Sequence, residues 1–226
     1  MQTNWRMEVK GNDTLELRIY DTVERDHWWK ESETSAKHFA EQLAENKNAK
    51  EIKVYINSLG GSVMEGIAIY NQLKRHSAHK TVYIDGFACS IASVIAMAGD
   101  TVIMPKNAVM MIHNAWTVAI GNAAALRKAA DDLDVINQAS TQAYLDRAGD
   151  RLTPEKLKEM LDAETYLTAE QCIGYGLADK HSEDDGAEQD AAQAKAKAAE
   201  QIAQQAVREE MQRRHDCAMA VINKYF

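Results

Sequence analysis

Hydrophobic positions along the chain switch between a period of two and a period of three to four, and the switches predict its elements. Leu15, Leu17 and Ile19 alternate as in a strand with one buried face. Phe39 and Leu43 lie one turn apart in a helix predicted over 33–46, after a capping Ser32. Ile52, Val54 and Ile56 return to the strand period and run into Asn57-Ser58-Leu59-Gly60-Gly61, a loop whose glycines open backbone angles closed to other residues. Val63, Ile67, Tyr70 and Leu73 then mark a helix over 63–73. The β-branched and aromatic run 81–84 predicts a buried strand, and the small apolar run 92–98 a buried helix stopped by Gly99-Asp100. A short strand over 101–104, a turn at Pro105-Lys106-Asn107 and the apolar run 109–112 follow.

The second half is more helical. Residues 122–148 form a long amphipathic helix with Leu126, Leu133, Ile136 and Tyr144 at its apolar positions. Thr153-Pro154 opens a short helix as N-cap and first helical residue, and Thr168-Ala169-Glu170 opens another that ends at Gly176-Leu177-Ala178-Asp179. The repeated strand–helix–strand order predicts an α/β protein with a mostly parallel sheet and right-handed crossovers. After residue 181 the character changes. Residues 182–190 are acidic and turn-prone, a linker by composition, and 191–214 are rich in strong helix formers with a thin stripe of Ile202, Val207 and Met211. The predicted division is therefore a core domain over 1–181 and a linker with helical extension over 182–226. Trp28 and Trp29 cannot share one face of a regular element, so they either anchor their own loop or contact a neighbouring subunit or a substrate.

Three segments carry candidate chemistry. In Gly86-Phe87-Ala88-Cys89-Ser90-Ile91-Ala92-Ser93, Ser90 sits where a strand becomes a helix, beside first-turn amides that lack intrahelical partners. There it is either a capping serine or a nucleophile whose developing oxyanion those amides can hold. Gly60-Gly61, at the preceding strand-to-helix junction, suits a tight turn, a phosphate cradle or a bare N–H set against a substrate carbonyl. The phosphate reading is weak, because neither Gly-x-Gly-x-x-Gly nor Gly-Lys-Ser/Thr occurs. His113 ends the run 109–112 and should face a cleft, either as a hydrogen-bonded structural residue or as a base matched to a hydroxyl near neutral pH.

The ordered series Asn57-Ser58-x-Gly60-Gly61, Gly86-x-Ala88-x-Ser90, Met111-Ile112-His113 and Leu167-Thr168-Ala169-Glu170, closing on Tyr175-Gly176-Leu177-Ala178-Asp179, resembles the proteolytic subunit of the Clp protease. Within that family it is most similar to the phage and prophage branch of Clp-related head maturation proteases. The resemblance covers roughly residues 15–181. It implies a crotonase-like Clp fold, with 122–148 as a handle helix meshing two rings. It also implies Ser90 as nucleophile, His113 as general base, and the N–H groups of Gly61 and Ile91 as oxyanion hole. The family's orienting aspartate lies shortly before the aromatic-Leu-Ser/Thr-Ala segment, a position that falls on Glu164, with Asp162 as second candidate. Glutamate can hold the imidazole tautomer as aspartate does, provided the backbone accommodates its extra methylene. Leu59 replaces the family's usual proline, Cys89 a small residue, and Ile91 a frequent methionine. Cys89 reads as a small buried thiol rather than a nucleophile.

The implied protein is a serine endopeptidase that needs no metal or organic cofactor and works in a closed, stacked homo-oligomeric ring on protein or peptide substrates. Capsid or scaffold proteins suit the head maturation branch, and an ATPase unfoldase is the family's feeding partner. Two other classes share the fold: an assembly subunit that has lost catalysis, and a crotonase-type acyl-CoA enzyme, which would rely on glutamates rather than on a serine–histidine pair. Composition narrows the setting. Three cysteines without disulfide or metal spacing suggest a reducing compartment, and 1–6 contain no apolar signal core. No apolar run is long enough to span a membrane, and a net charge of −8 disfavours nucleic acid. The expected location is the cytoplasm or, for a phage enzyme, the prohead.

Overall fold

The computed structural model describes residues 6–10, 13–24 and 35–182. The expectations for Trp28, Trp29, the Ser32 cap and the C-terminal extension lie outside the described residues. Among these residues seven strands make one sheet: β1 (Arg6–Lys10), β2 (Thr14–Tyr20), β3 (Glu51–Ser58), β4 (His79–Cys89), β5 (Thr101–Ile103), β6 (Val109–Ile112) and β7 (Thr165–Thr168). Among the described residues six α-helices accompany it: α1 (Ala36–Glu45), α2 (Val63–Arg75), α3 (Ile91–Ala96), α4 (Ala123–Ala148), α5 (Pro154–Asp162) and α6 (Ala169–Gly174). The strand order is β1-β2-β3-β4-β6-β7, with β5 also on β4. Strands β2 to β6 pair in parallel, while β1 and β7 are antiparallel at the edges. This is a mixed α/β fold with a parallel-strand sheet and a long helix.

The alternation seen in sequence is a burial pattern. Leu15, Leu17, Ile19, Ile52, Val54, Ile56, Val82 and Ile84 all point into one core with Phe39, Ile69 and Leu73 from the covering helices. Each such side chain contributes about 1.5–3 kcal/mol by leaving water. The opposite face of the same strands carries a stacked Tyr55–Tyr83 pair, 5.0 Å between centroids, with the Arg18 guanidinium over Tyr55.

Several boundaries move, for physical reasons. Helix α1 starts later than expected: Ser35 is its cap, its Oγ accepting from the His38 N–H, while the Ala36 N–H donates to the Glu65 carboxylate of α2 at 2.7 Å. Asn57 and Ser58 belong to β3 rather than to the loop after it. Helix α4 buries only its C-terminal end, through Ala143, Tyr144 and Ala148. Leu126, Val135 and Ile136 stay exposed, so of the expected apolar stripe only Tyr144 enters the core. The Gly176–Asp179 motif is structural: the Asp179 carboxylate pairs with Arg147 and accepts the Val102 N–H at 2.6 Å, tying the end of α4 to β5.

Candidate active site

The site grows from a break in the β3–β4 ladder. Ile56 pairs with Ile84 and Ser58 with Ala88, so two steps along β3 match four along β4. Asn57 fills the mismatch, its Oδ1 accepting the Phe87 N–H at 3.1 Å, and Gly86 leaves it room, since a Cβ there would come within 2.7 Å of that oxygen. The bulge divides β4 between two neighbours: its first half pairs with β5, and Phe87–Cys89 pairs with Val109–Met111 of β6. The chain end that becomes α3 is thereby carried beside the end of β6. Ser90 and His113 meet there.

Ser90 is the N-cap residue of α3, yet its hydroxyl makes no capping bond. Its Oγ lies 2.7 Å from His113 Nε2. The backbone of Ser90 has φ 54° and ψ −130°, a conformation that costs a non-glycine residue about 1–3 kcal/mol. The Ser90 N–H is anchored on the Met111 carbonyl at 2.8 Å, and Gly66 gives way to Ile91, whose Cγ1 would sit 2.1 Å from any Cβ on that glycine.

The Gly60-Gly61 loop backs directly onto Ser90. A Cβ on Gly60 would meet Ser90 Cβ at 2.6 Å, and one on Gly61 would meet the Val23 carbonyl oxygen at 2.2 Å. Both glycines have positive φ, 103° and 145°. A strap over residues 21–23, unforeseen in the sequence, clamps this loop. Val23 N–H donates to Gly60 O at 2.8 Å, and Ser62 N–H donates to Val23 O at 2.7 Å. Ser58 Oγ donates to Asp21 O at 2.5 Å and accepts the Gly60 N–H at 3.1 Å. The Asn-Ser pair before the glycines was the available signal, with a serine that has two bonding roles to fill.

The two acidic candidates separate. The β6–β7 ladder ends at the Ile112–Thr165 pair; His113 is the residue just after β6 and Glu164 the residue just before β7. Glu164 is half-buried and takes a left-handed backbone, φ 49°. Asp162 is exposed at the end of α5, with its oxygens engaged by Asn114 Nδ2 at 2.8 Å and Lys158 Nζ at 2.5 Å. Those bonds hold the Asp162 carboxyl below its usual range. Asn114 and Ala115, the residues after His113, are thus fixed from both sides, because the Ala115 N–H donates to Asn137 Oδ1 of α4 at 2.7 Å.

Cys89, next to Ser90, is buried, and burial pushes its thiol up to about 12. Cys172 behaves alike, also at about 12. Since the thiolate is the reactive form, iodoacetamide near neutral pH is expected to leave both unmodified in the folded protein. Peptide mapping that finds Cys89 alkylated as fast as a free thiol would contradict this. Among the described residues no helix is long and apolar enough to cross a membrane.

The Clp protease family profile matches residues 29–184. The chain is 33% identical over 133 residues to the ATP-dependent Clp protease proteolytic subunit of Ligilactobacillus salivarius (strain UCC118), an alignment covering 58% of this chain and 66% of the relative. It therefore spans just under two thirds of that relative's length. With the family profile matched over more than half of its residues, the chain belongs to the Clp protease family.

Proposed function

We propose that this protein is a serine endopeptidase of the Clp proteolytic-subunit type, with 1–181 as its catalytic, crotonase-like domain. The observation that carries this reading is the 2.7 Å contact between Ser90 Oγ and His113 Nε2, made by a serine whose hydroxyl does no capping. Ser90 Oγ attacks the scissile carbonyl carbon while Nε2 of the neutral imidazole takes the hydroxyl proton. The tetrahedral oxyanion is held by the N–H groups of Gly61 and Ile91. The imidazolium then protonates the departing amine, leaving an acyl ester on Ser90. Water, deprotonated by the same imidazole, hydrolyses that ester and restores the serine. Glu164 orients the imidazole and stabilises its charged form.

The homo-oligomeric, stacked-ring state is supported by apolar surface that the chain leaves open: Trp116, Val118 and Ile120 after His113, and Leu126, Val135 and Ile136 on α4. A head maturation role with capsid or scaffold substrates, and feeding by an ATPase unfoldase, rest on the motif resemblance and on the family. Steady-state cleavage of a fluorogenic peptide series by the full chain tests the reading. Glu164→Gln is expected to lower kcat by about 100-fold or more with KM little changed, whereas Asp162→Asn should change it by less than about threefold, as befits a surface pair. The reverse ranking would assign the orienting role to Asp162. No cleavage of any peptide by the assembled chain would contradict the peptidase reading.

A further inference from the structure

Behind Ser90 lies a buried pair of hydroxyls that the mechanism above does not use. Ser93, in the first turn of α3, is fully buried, with its Oγ 2.5 Å from the Ser90 carbonyl oxygen and 2.6 Å from the Tyr144 hydroxyl. The Ser93 N–H also donates to that carbonyl, at 3.0 Å. The proton directions follow from valence. A carbonyl oxygen only accepts and a serine hydroxyl has one proton, so Ser93 O–H donates to Ser90, and Tyr144 O–H donates to Ser93. Burial raises the Tyr144 pKa, which keeps the phenol protonated and able to donate. Tyr144 belongs to the one part of α4 that enters the core, so the relay runs from that helix to the candidate nucleophile.

The Ser90 carbonyl shares a peptide plane with the Ile91 N–H. In a trans peptide the two point in opposite directions and turn together, and the described backbone contains no cis bond. Whatever fixes this carbonyl therefore aims the amide. The plane needs fixing, since Ser90 occupies an unfavourable backbone conformation that persists only under constraint from its surroundings. We propose that Ser93 and Tyr144 are positioning residues: the relay Tyr144 O–H to Ser93 O–H to Ser90 C=O holds the 90–91 peptide so that the Ile91 N–H faces the oxyanion. This inference rests on the peptidase reading of Ser90.

The test uses the full chain with Tyr144→Phe, Ser93→Ala and the double variant, each checked for native-like thermal unfolding. Peptide hydrolysis is measured together with inhibition by a peptide boronic acid, which adds to Ser90 Oγ and places a tetrahedral oxygen in the oxyanion site. Losing a whole oxyanion donor costs about 100- to 1,000-fold in kcat, so loosening one is expected to cost about tenfold in Tyr144→Phe and more in Ser93→Ala, with KM within about twofold. Boronate affinity should fall in step with kcat/KM. The double variant should be no slower than Ser93→Ala, because the tyrosine acts through the serine. Unchanged kcat in both single variants, a loss confined to KM, or losses that multiply in the double variant would overturn the proposal while leaving the peptidase reading intact. If the native chain neither cleaves peptide nor reacts with a fluorophosphonate, the peptidase reading itself fails. The relay is then judged by a crystal structure of the double variant: a rotated or split 90–91 peptide supports it, and the native orientation overturns it.

Discussion

Ser90→Ala is expected to lower peptide hydrolysis by about 10,000-fold or more, because it removes the one atom that forms the acyl ester. Binding of peptide should persist, since the Gly60-Gly61 loop and the surrounding strands do not depend on the hydroxyl. A second variant makes the test sharper. Ser90 is held at φ 54° and ψ −130°, where glycine is at ease and a Cβ is not. Ser90→Gly should therefore be as inactive as Ser90→Ala, yet more stable than it by about 1 kcal/mol in urea unfolding. Equal stability of the two variants would mean that the serine backbone is not under strain. Retained hydrolysis in either would remove Ser90 from the chemistry.

Gly61→Ala is the second large effect. The added Cβ would stand 2.2 Å from the Val23 carbonyl oxygen and 2.9 Å from its nitrogen, both of them backbone atoms that cannot step aside as a flexible side chain would. Relief requires moving either the 21–23 strap or the glycine loop. In both cases the Gly61 N–H, the proposed oxyanion donor, is displaced. The expected result is a loss of about 100- to 1,000-fold in kcat, the cost of one oxyanion donor, with destabilisation of about 1–3 kcal/mol for the strained backbone. Gly174→Ala serves as the control: nothing lies within 4 Å of its would-be Cβ, and both activity and stability should stay near native. Native-like kcat in Gly61→Ala would exclude this amide from the oxyanion hole.

The parts of the fold legible in the sequence are those in which one face is buried by this chain itself. Strands β2 to β4 read correctly because Leu15, Ile52, Val82 and their period-two neighbours all enter one core. The edge strands were not legible. Strand β1 has five residues, and in β7 only Leu167 of four is buried, too few for a period to emerge. Asn57 and Ser58 looked like loop residues because polar side chains at a strand end carry the chemistry of turns. Here that chemistry staples a bulge and a glycine loop instead. On α4, apolar spacing could not tell a core from a surface: Leu126 and Ile136 have the right period and remain exposed, and Tyr144 is buried.

At the site, residue types and local contexts were readable, but contacts across the fold were not. Ser90 and His113 stand 23 positions apart, and only the adjacency of β4 and β6 brings them to hydrogen-bond distance. The preference for Glu164 over Asp162 rests on spacing from the 166–169 motif; in the fold Glu164 directly precedes β7, and Asp162 is engaged by Asn114 and Lys158. Ser93 lies inside the 86–93 segment, three residues after Ser90. Its role was invisible because its partner, Tyr144, is 51 residues away on another helix.

Whether Ser90 is the nucleophile is tested most directly by intact-mass analysis of the assembled full chain after exposure to a fluorophosphonate, followed by peptide mapping. The expected result is one adduct per chain, located on Ser90, absent in Ser90→Ala and slowed in Glu164→Gln. No adduct on the assembled native protein, or an adduct on another residue that survives in Ser90→Ala, would contradict it.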